Sequence, residues 1–415
     1  MNALDVLRER GYIHQVSDEA GLRAALERET TVYCGYDPTR DSLQVGNLVS
    51  IMMLAHLQRA GHRPIALIGG GTALIGDPSG KTEMREMLTM EQIRHNARAL
   101  HDQFGRFLSF GCGRALMLNN ADWLSELRYI PFLRDIGRHF SVNQLLQHET
   151  YRERLAGGGL NFIELNYALL QAYDFLHLFR EHGCLLQIGG SDQWFNVLAG
   201  VELIRRVEGR EAFALVSALV STASGAKMGK TEAGAVWLDA KRTSPYEFYQ
   251  YWINTEDADV ERFLKLFTFL PLDEIRELTA VSGAELRHAK ELLAFEVTRL
   301  VHGQETADQA QAQSRALFVS RASMTVSATV LHAVPTTVVS PEQLGTGFDI
   351  VEALVLTGLA PSRTRAKSQV QAGGVYVNER RVDGTSRSLT SADLDDAGQI
   401  LLRRGKKEYR RIVVG

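Results

Sequence analysis

Between residues 31 and 222, short apolar runs alternate with long helical patterns. The runs are Thr31–Tyr36, Pro64–Ile68, Arg114–Leu118, Leu185–Ile188 and Phe213–Val216. Most of them end at glycine or a polar loop. Strands spaced in this way are joined by crossover helices, so the pattern predicts a parallel sheet covered by helices. Ligands of such sheets bind at the carboxyl ends of the strands. Tyr36-Asp37, Gly69-Gly70-Gly71 and Gly189-Gly190-Ser191-Asp192 all fall at such ends. Glycines there would let a ligand approach the backbone closely.

Two motifs give the sheet a chemistry. Asp37-Pro38-Thr39 and Gln44-Val45-Gly46-Asn47 follow the first run and precede a helical pattern from Leu48 to Ala60. The free N–H groups at such a helix start suit a phosphate. Lys227-Met228-Gly229-Lys230-Thr231 sets two lysines three apart beside Gly225 and Gly229, in a loop able to bend over an anion. A phosphate cradle with a pair of ammonium groups is what nucleotidyl transfer from ATP requires. Each motif alone is weak, because strand-loop-helix units are common and lysine-rich loops are usually solvated turns. Their joint presence in this order is a stronger signal.

The pattern over 160–179 contains only two formally charged residues, Glu164 and Asp174, and is expected to be a buried helix. Tyr167, Gln171 and Asp174 share one face of it. That face is either a wet stripe or a pocket wall offering a phenol, an amide and a carboxylate. Asp77, before Pro78, is either a turn residue or a second carboxylate of the site. Lys81 and Arg85 are surface charges or anion contacts. The twelve histidines show no metal spacing, so no protein-held metal is expected. Cys34, Cys112 and Cys184 form no Cys-x-x-Cys pair, which supports neither a disulfide framework nor a zinc knuckle. With no apolar run long enough to span a bilayer, a cytoplasmic location is the simplest expectation.

Helices dominate from Ser244 to about Val319, starting at the capping sequence Ser244-Pro245-Tyr246-Glu247. Residues 322–341 carry no charge and read as a linker, or as a short strand. From Asp349 a compact unit begins. It holds helical patterns at 349–357 and 362–371, the second bearing Arg363, Arg365 and Lys367, then a strand at 375–378. A basic turn follows with Arg403, Arg404, Lys406 and Lys407. Residues 349–415 hold 12 Lys and Arg against 8 Asp and Glu, while the whole chain has a net charge of −3. A basic end on an acidic body points to a polyanion such as RNA. The expected division is a catalytic part at 1–222, a lysine loop and helical part at 223–321, a linker at 322–348 and an RNA-binding part at 349–415.

Four segments together resemble those of bacterial tyrosyl-tRNA synthetases. They are Tyr33 to Thr39, Gly76 to Lys81, Tyr167 to Phe175, and Gln187-Ile188-Gly189-Gly190-Ser191-Asp192-Gln193-Trp194. The lysine loop resembles the second signature of class I synthetases, with Gly229 and Thr231 in place of its serines. The resemblance covers essentially the whole chain, and residues 349–415 resemble a small RNA-binding domain shared with a ribosomal protein. It implies a Rossmann-like catalytic domain, a helical domain and a small α+β domain. The implied substrates are L-tyrosine, ATP carrying Mg2+, and tRNA(Tyr), and the implied assembly is a homodimer; the apolar region from Phe132 to Phe162 is the candidate interface.

The resemblance also implies roles. Tyr33 and Asp174 would meet the tyrosine phenol. Asp77, Tyr167 and Gln171 would hold its ammonium group, and Gln193 its carboxyl end. Cys34, Gly35, Asp37, Gly46, Gly190 and Asp192 would meet ATP. Thr39, Gln44, Asn47, Lys81, Arg85, Lys227 and Lys230 would surround its phosphates. One departure is plain: the family's first signature has histidine at both ends, where this chain has Gln44 and Asn47. An amide donates N–H as an imidazole does. Two alternatives stay open: a tryptophanyl enzyme, and an RNA-binding protein on a synthetase scaffold with weakened catalysis. Tyr33 with Asp174 argues against the first. Asp77, Asp192, Lys227 and Lys230 argue against the second.

Overall fold

The structure, a computed structural model, describes residues 2–77, 88–147, 149–157, 159–226, 228–231, 234–323, 334–345, 347–395, 397–405 and 408–415. By compactness it divides into one unit of residues 1–229 with 236–307, and a second of residues 230–235 with 308–415.

The first unit is built on six strands: β1 Gln15–Val16, β2 Thr31–Tyr36, β3 Arg63–Ile68, β4 Leu116–Asn119, β5 Cys184–Gly190 and β6 Phe213–Ser217. Their order is β1-β6-β5-β2-β3-β4. Only β1 runs antiparallel to its neighbour. The expected parallel sheet is therefore present. β4 starts later than expected, at Leu116 instead of Arg114. Cys112 and Gly113 both take positive φ, 55° and 70°, and the turn they make uses up the chain before pairing with β3 can begin.

Side chains alternate across β2. Tyr33 faces the helix Phe162–His182, with its ring 5.3 Å from that of Phe175. Tyr36 points to the opposite face, where its hydroxyl lies 3.1 Å from Ser50 of the helix Leu48–Arg59. Leu48–Arg59 is buried along most of its length, as an apolar helix against a sheet should be. The helix expected at 160–179 runs Phe162–His182 and ends on left-handed Gly183. It packs closely on the helix Trp194–Glu208, where a Cβ on Gly200 would stand 2.9 Å from the Phe175 ring.

The strand order reverses between β2 and β5. Their pairing spans only Thr31 to Tyr33 and ends at Tyr33 opposite Gln187. Beyond that point Gly35 and Gly189 belong to diverging strands, which opens a crevice at their carboxyl ends. Helices follow from Pro245–Ile253 to Gln304–Ser323. Arg10 caps one of them, Val260–Phe267, by donating to the carbonyls of Lys265, Thr268 and Leu270 at 2.7–3.0 Å.

The second unit has a five-stranded sheet ordered Arg380–Arg381, Val375–Val377, Gln399–Arg404, Glu408–Val414, Thr336–Val339. Helices Ile350–Leu356 and Arg363–Gln371 contribute to its core, in which Ile350, Leu354, Ala366, Val370, Leu402 and Ile412 are buried. Asn378 and Glu379 both take positive φ, 47° and 63°, as a two-residue hairpin turn demands. Of the two readings offered for the uncharged stretch, a linker or a short strand, the described part holds the strand. Thr336–Val339 is a strand paired in parallel with Glu408–Val414, and Pro341–Gly345 is helical. The stretch reads as a linker because its strand is short and its partner is remote in sequence.

Candidate active site

The crevice between β2 and β5 widens into a cavity of about 370 Å³. It gathers Tyr33, Cys34, Gly35, Asp37, Thr39, Gln44, Gly46, Asn47, Asp77, Tyr167, Gln171, Asp174, Gly190, Asp192 and Gln193 onto one surface. These residues come from five separate stretches of sequence. Lys81, Arg85 and Lys227 lie outside the described residues, as do Lys406 and Lys407. Lys230 is described in its backbone alone, within the short strand Lys230–Thr231.

At the buried end, Asp174 is 2% exposed. Its two carboxylate oxygens accept from Trp123 Nε1 and Asn120 Nδ2, each at 2.8 Å. Asn120 Nδ2 also lies 3.0 Å from the Thr72 hydroxyl, and Asn120 Oδ1 accepts from Gly71 N at 2.7 Å. Thr72 donates to Asp37 at 2.8 Å, and the Tyr167 hydroxyl donates to the other Asp37 oxygen at 3.0 Å. A continuous polar chain thus joins Asp174 to Tyr167. Burial pushes the Asp174 carboxyl up to about 7, against the lowering effect of the Asn120 and Trp123 bonds. Burial, reinforced by the Asp174 charge, lifts the Tyr33 phenol well above its ordinary range, so it remains a donor.

Three buried polar atoms on this wall have no hydrogen-bond partner among the described residues: the Tyr33 hydroxyl, Gln171 Oε1 and Gln187 Oε1. Buried polar groups are nearly always paired, so such a cluster calls for a polar ligand. Nearby, Gln193 Nε2 donates to Asp77 at 2.7 Å.

The other end is built from backbone. A bridge pairs Gln44 with Trp237, and Val45 N donates to Val236 O at 3.0 Å. Gly229, at φ 77°, sits so close that a Cβ there would stand 3.2 Å from Gly46 N. The pairing at 236–238 therefore brings Gly229 to the helix start. Asn47 Oδ1 accepts from Gln44 N at 2.9 Å, which leaves its NH2 as the donor. Gly35 has open space where a Cβ would be, on the cavity wall. Gly69 and Gly70 correct the expectation that strand-end glycines clear room for a ligand. A Cβ at Gly69 would collide with Asp37, and one at Gly70 with Asn119, so they admit the chain's own side chains.

A family model described as class I tRNA synthetases (W and Y) matches residues 25–319. The chain belongs to this family. A model of the tyrosine–tRNA ligase SYY-like C-terminal domain matches residues 327–412. A tyrosine–tRNA ligase of Desulfosudis oleivorans is 51% identical, with 100% of this chain and 99% of that protein covered. One from Caldanaerobacter subterraneus subsp. tengcongensis is also 51% identical, with both chains fully covered. Among solved structures, a C-terminally truncated mitochondrial tyrosyl-tRNA synthetase of Aspergillus nidulans superposes with a TM-score of 0.70 at 31% identity, covering 76% of this chain and 94% of that one. The class I synthetase fold read from the sequence is thus the fold found.

Asn120, Thr72 and Gln187 line this synthetase cavity, and Trp123 donates to Asp174, yet the sequence reading gave none of the four a role. Asn120 follows β4 directly, so the strand-end rule would have reached it had β4 been placed correctly. Trp123 lies one helical turn further on, and no local signal marks it.

Proposed function

We propose that this synthetase is a tyrosine–tRNA ligase acting in two steps. The carboxylate of L-tyrosine attacks the α-phosphorus of ATP, pyrophosphate leaves, and tyrosyl-adenylate stays bound. A hydroxyl of the 3'-terminal ribose of tRNA(Tyr) then attacks the tyrosyl carbonyl, and AMP leaves. No side-chain nucleophile is needed, because positioning and electrostatic stabilisation carry both steps.

The observation that carries the reading is the unpartnered Tyr33 hydroxyl in the same buried wall as Asp174. A phenol suits both: its oxygen accepts from the unpartnered Tyr33 hydroxyl, and its own proton goes to a remaining lone pair of Asp174, beside the bonds from Asn120 and Trp123. An indole has an N–H but no acceptor oxygen, which disfavours tryptophan. Asp77 and Tyr167 place negative and polar groups for the ammonium, with Gln171, and Gln193 lies beside Asp77 for the carboxyl end. ATP, with magnesium carried in on its phosphates, takes the space over Cys34, Gly35, Gly190 and Asp192, and Asp37 holds that wall through Thr72 and Tyr167. Gln44, Asn47, Thr39, Lys81, Arg85, Lys227 and Lys230 meet the phosphates.

The C-terminal unit binds tRNA. Arg363, Arg365 and Lys367 are exposed on one helix, while Arg403 lies 3.6 Å over the Tyr376 ring and is paired with Glu379, and Arg404 is paired with Glu408. The first three are therefore the freer contacts for phosphate, with Lys406 and Lys407 at the turn. A second copy of the chain covers Ile130, Val142, Leu155 and Phe162, each exposed by half or more. Such a homodimer works in the cytoplasm, where tRNA is charged. The test is amino-acid-dependent ATP–pyrophosphate exchange. Tyrosine alone is expected to support it; exchange with tryptophan in its place, or with neither, would overturn the reading.

A further inference from the structure

The stretch that leads to Gly229 is gripped from the helical part of its own unit. Asp259, 2% exposed, accepts from Ala223 N at 2.7 Å through one oxygen and from Arg262 at 2.5 Å through the other. Arg262 also donates to Ser221 O, and Ser224 donates to Glu256 at 2.6 Å. On the far side of Lys227, the Tyr251 hydroxyl accepts from Gly229 N at 2.9 Å. Gly229 O in turn accepts from Val236 N at 2.8 Å. The stretch 221–229 is thus held at both shoulders, by the helix Pro245–Ile253 on one side and by residues 256–262 on the other.

The geometry matters because Gly229 lies so near Gly46 that a Cβ on it would stand 3.2 Å from Gly46 N. A shift at Gly229 moves the lysine backbone relative to the donors at Gln44 and Asn47. Tyr251 also escaped sequence reasoning, since nothing local marks a tyrosine on a capped helix as a partner of a remote glycine.

We propose that Tyr251 and Asp259 are positioning residues for adenylate formation: they hold the backbone on either side of Lys227 so that its ammonium meets the transferring phosphates beside Gln44 and Asn47. The inference rests on the ligase reading above. Neither residue touches substrate. Both act before pyrophosphate leaves, and the later transfer to tRNA is independent of them.

The test is single-turnover kinetics on the full-length protein. Tyr251→Phe keeps the ring and removes only the acceptor oxygen. It is expected to slow adenylate formation by between about ten- and a hundredfold, the usual effect of a small misplacement. Tyrosine affinity and the rate of transfer from preformed adenylate should be unchanged. Asp259→Asn, which keeps the shape and turns one acceptor into a donor, is expected to show the same split. An independent readout is trypsin cleavage after Lys227 and Lys230 in the substrate-free protein, which should speed up in both variants. Wild-type adenylate rates in the two variants would overturn the proposal. So would equal losses in activation, tyrosine affinity and transfer, the pattern of general structural damage. A wild-type protein without tyrosine-dependent exchange would instead sink the ligase reading, and this inference with it.

Discussion

The two ends of the cavity are made differently. The end holding Asp174 is a side-chain network, buried and hydrogen-bonded through Asn120, Thr72 and Asp37 to Tyr167. The end holding Gln44 to Asn47 is a backbone construction, fixed by a strand bridge and by the contact of Gly229 with Gly46. A network of buried partners is specific, because removing one member strands the others. A backbone cradle tolerates changes of side chain so long as a donor remains in place. On this contrast the amides of Gln44 and Asn47 can serve the backbone end as donors, while the buried end admits no such exchange of side chain.

The largest expected effect follows from breaking the network. Asp174→Ala should lower tyrosine activation by more than a thousandfold in ATP–pyrophosphate exchange, since it removes the phenol's acceptor and strands Asn120 and Trp123. Sites built around a substrate hydroxyl reject the analogue lacking it by roughly 10⁴–10⁵, a magnitude already known for tyrosine-specific synthetases. Unchanged tyrosine kinetics would show that the two ends do not differ as described. Asp174 also carries a pH signature. Its carboxyl, raised to about 7, binds a proton more tightly folded than unfolded. The substrate-free protein should therefore lose stability as pH climbs from about 4 to about 7, by at most about 1.4 kcal/mol per pH unit from this group. Denaturant unfolding of Asp174→Asn should lack that part of the slope.

Next comes the backbone end. Gln44→Ala should slow adenylate formation by about a hundredfold, near 3 kcal/mol, with tyrosine affinity unchanged. Gln44→His should keep most of the activity. Rates equal to wild type in both Gln44→Ala and Asn47→Ala would mean that backbone and lysines suffice there, which would sharpen the contrast further.

Trp123→Phe removes one donor to Asp174 and keeps an aromatic ring against His177, now 4.2 Å away. The tyrosine KM should rise about tenfold, the worth of one hydrogen bond to a charged group. The Asp174 carboxyl should rise further, so the loss should be greater below neutral pH; a pH-independent loss would make Trp123 a packing residue only. The smallest effect on either end belongs to the C-terminal unit. A chain ending at Ser323 should exchange pyrophosphate as the full chain does and fail to charge tRNA. Salt should weaken tRNA binding by the full chain.

Much of this was legible in the sequence, for reasons of range. The strand Thr31–Tyr36, the helix start after Gln44 and the shared face of Tyr167, Gln171 and Asp174 are set by periodicities within a few residues. Asn120 and Trp123 acquire meaning only when β4 is laid beside β3, and Tyr251 only when a helix is laid beside a loop. The strand Thr336–Val339 is four uncharged residues whose partner, Glu408–Val414, lies beyond three α-helices and five strands of the described residues. Its local pattern allowed a linker or a short strand, and only the remote partner decides between them.

The strand order also sets an order of assembly. β2, β3 and β4 pair as neighbours along the chain, so that half of the sheet can form as it emerges from the ribosome. β5 pairs with β2 only after the whole of β4 and the helix Phe162–His182 has been made, a long loop closure that slows folding. The crevice lies along that late seam. A chain that has paired β2 to β4 can hold much of its helix and none of its substrate, so the ability to bind tyrosine marks a molecule whose two halves have met.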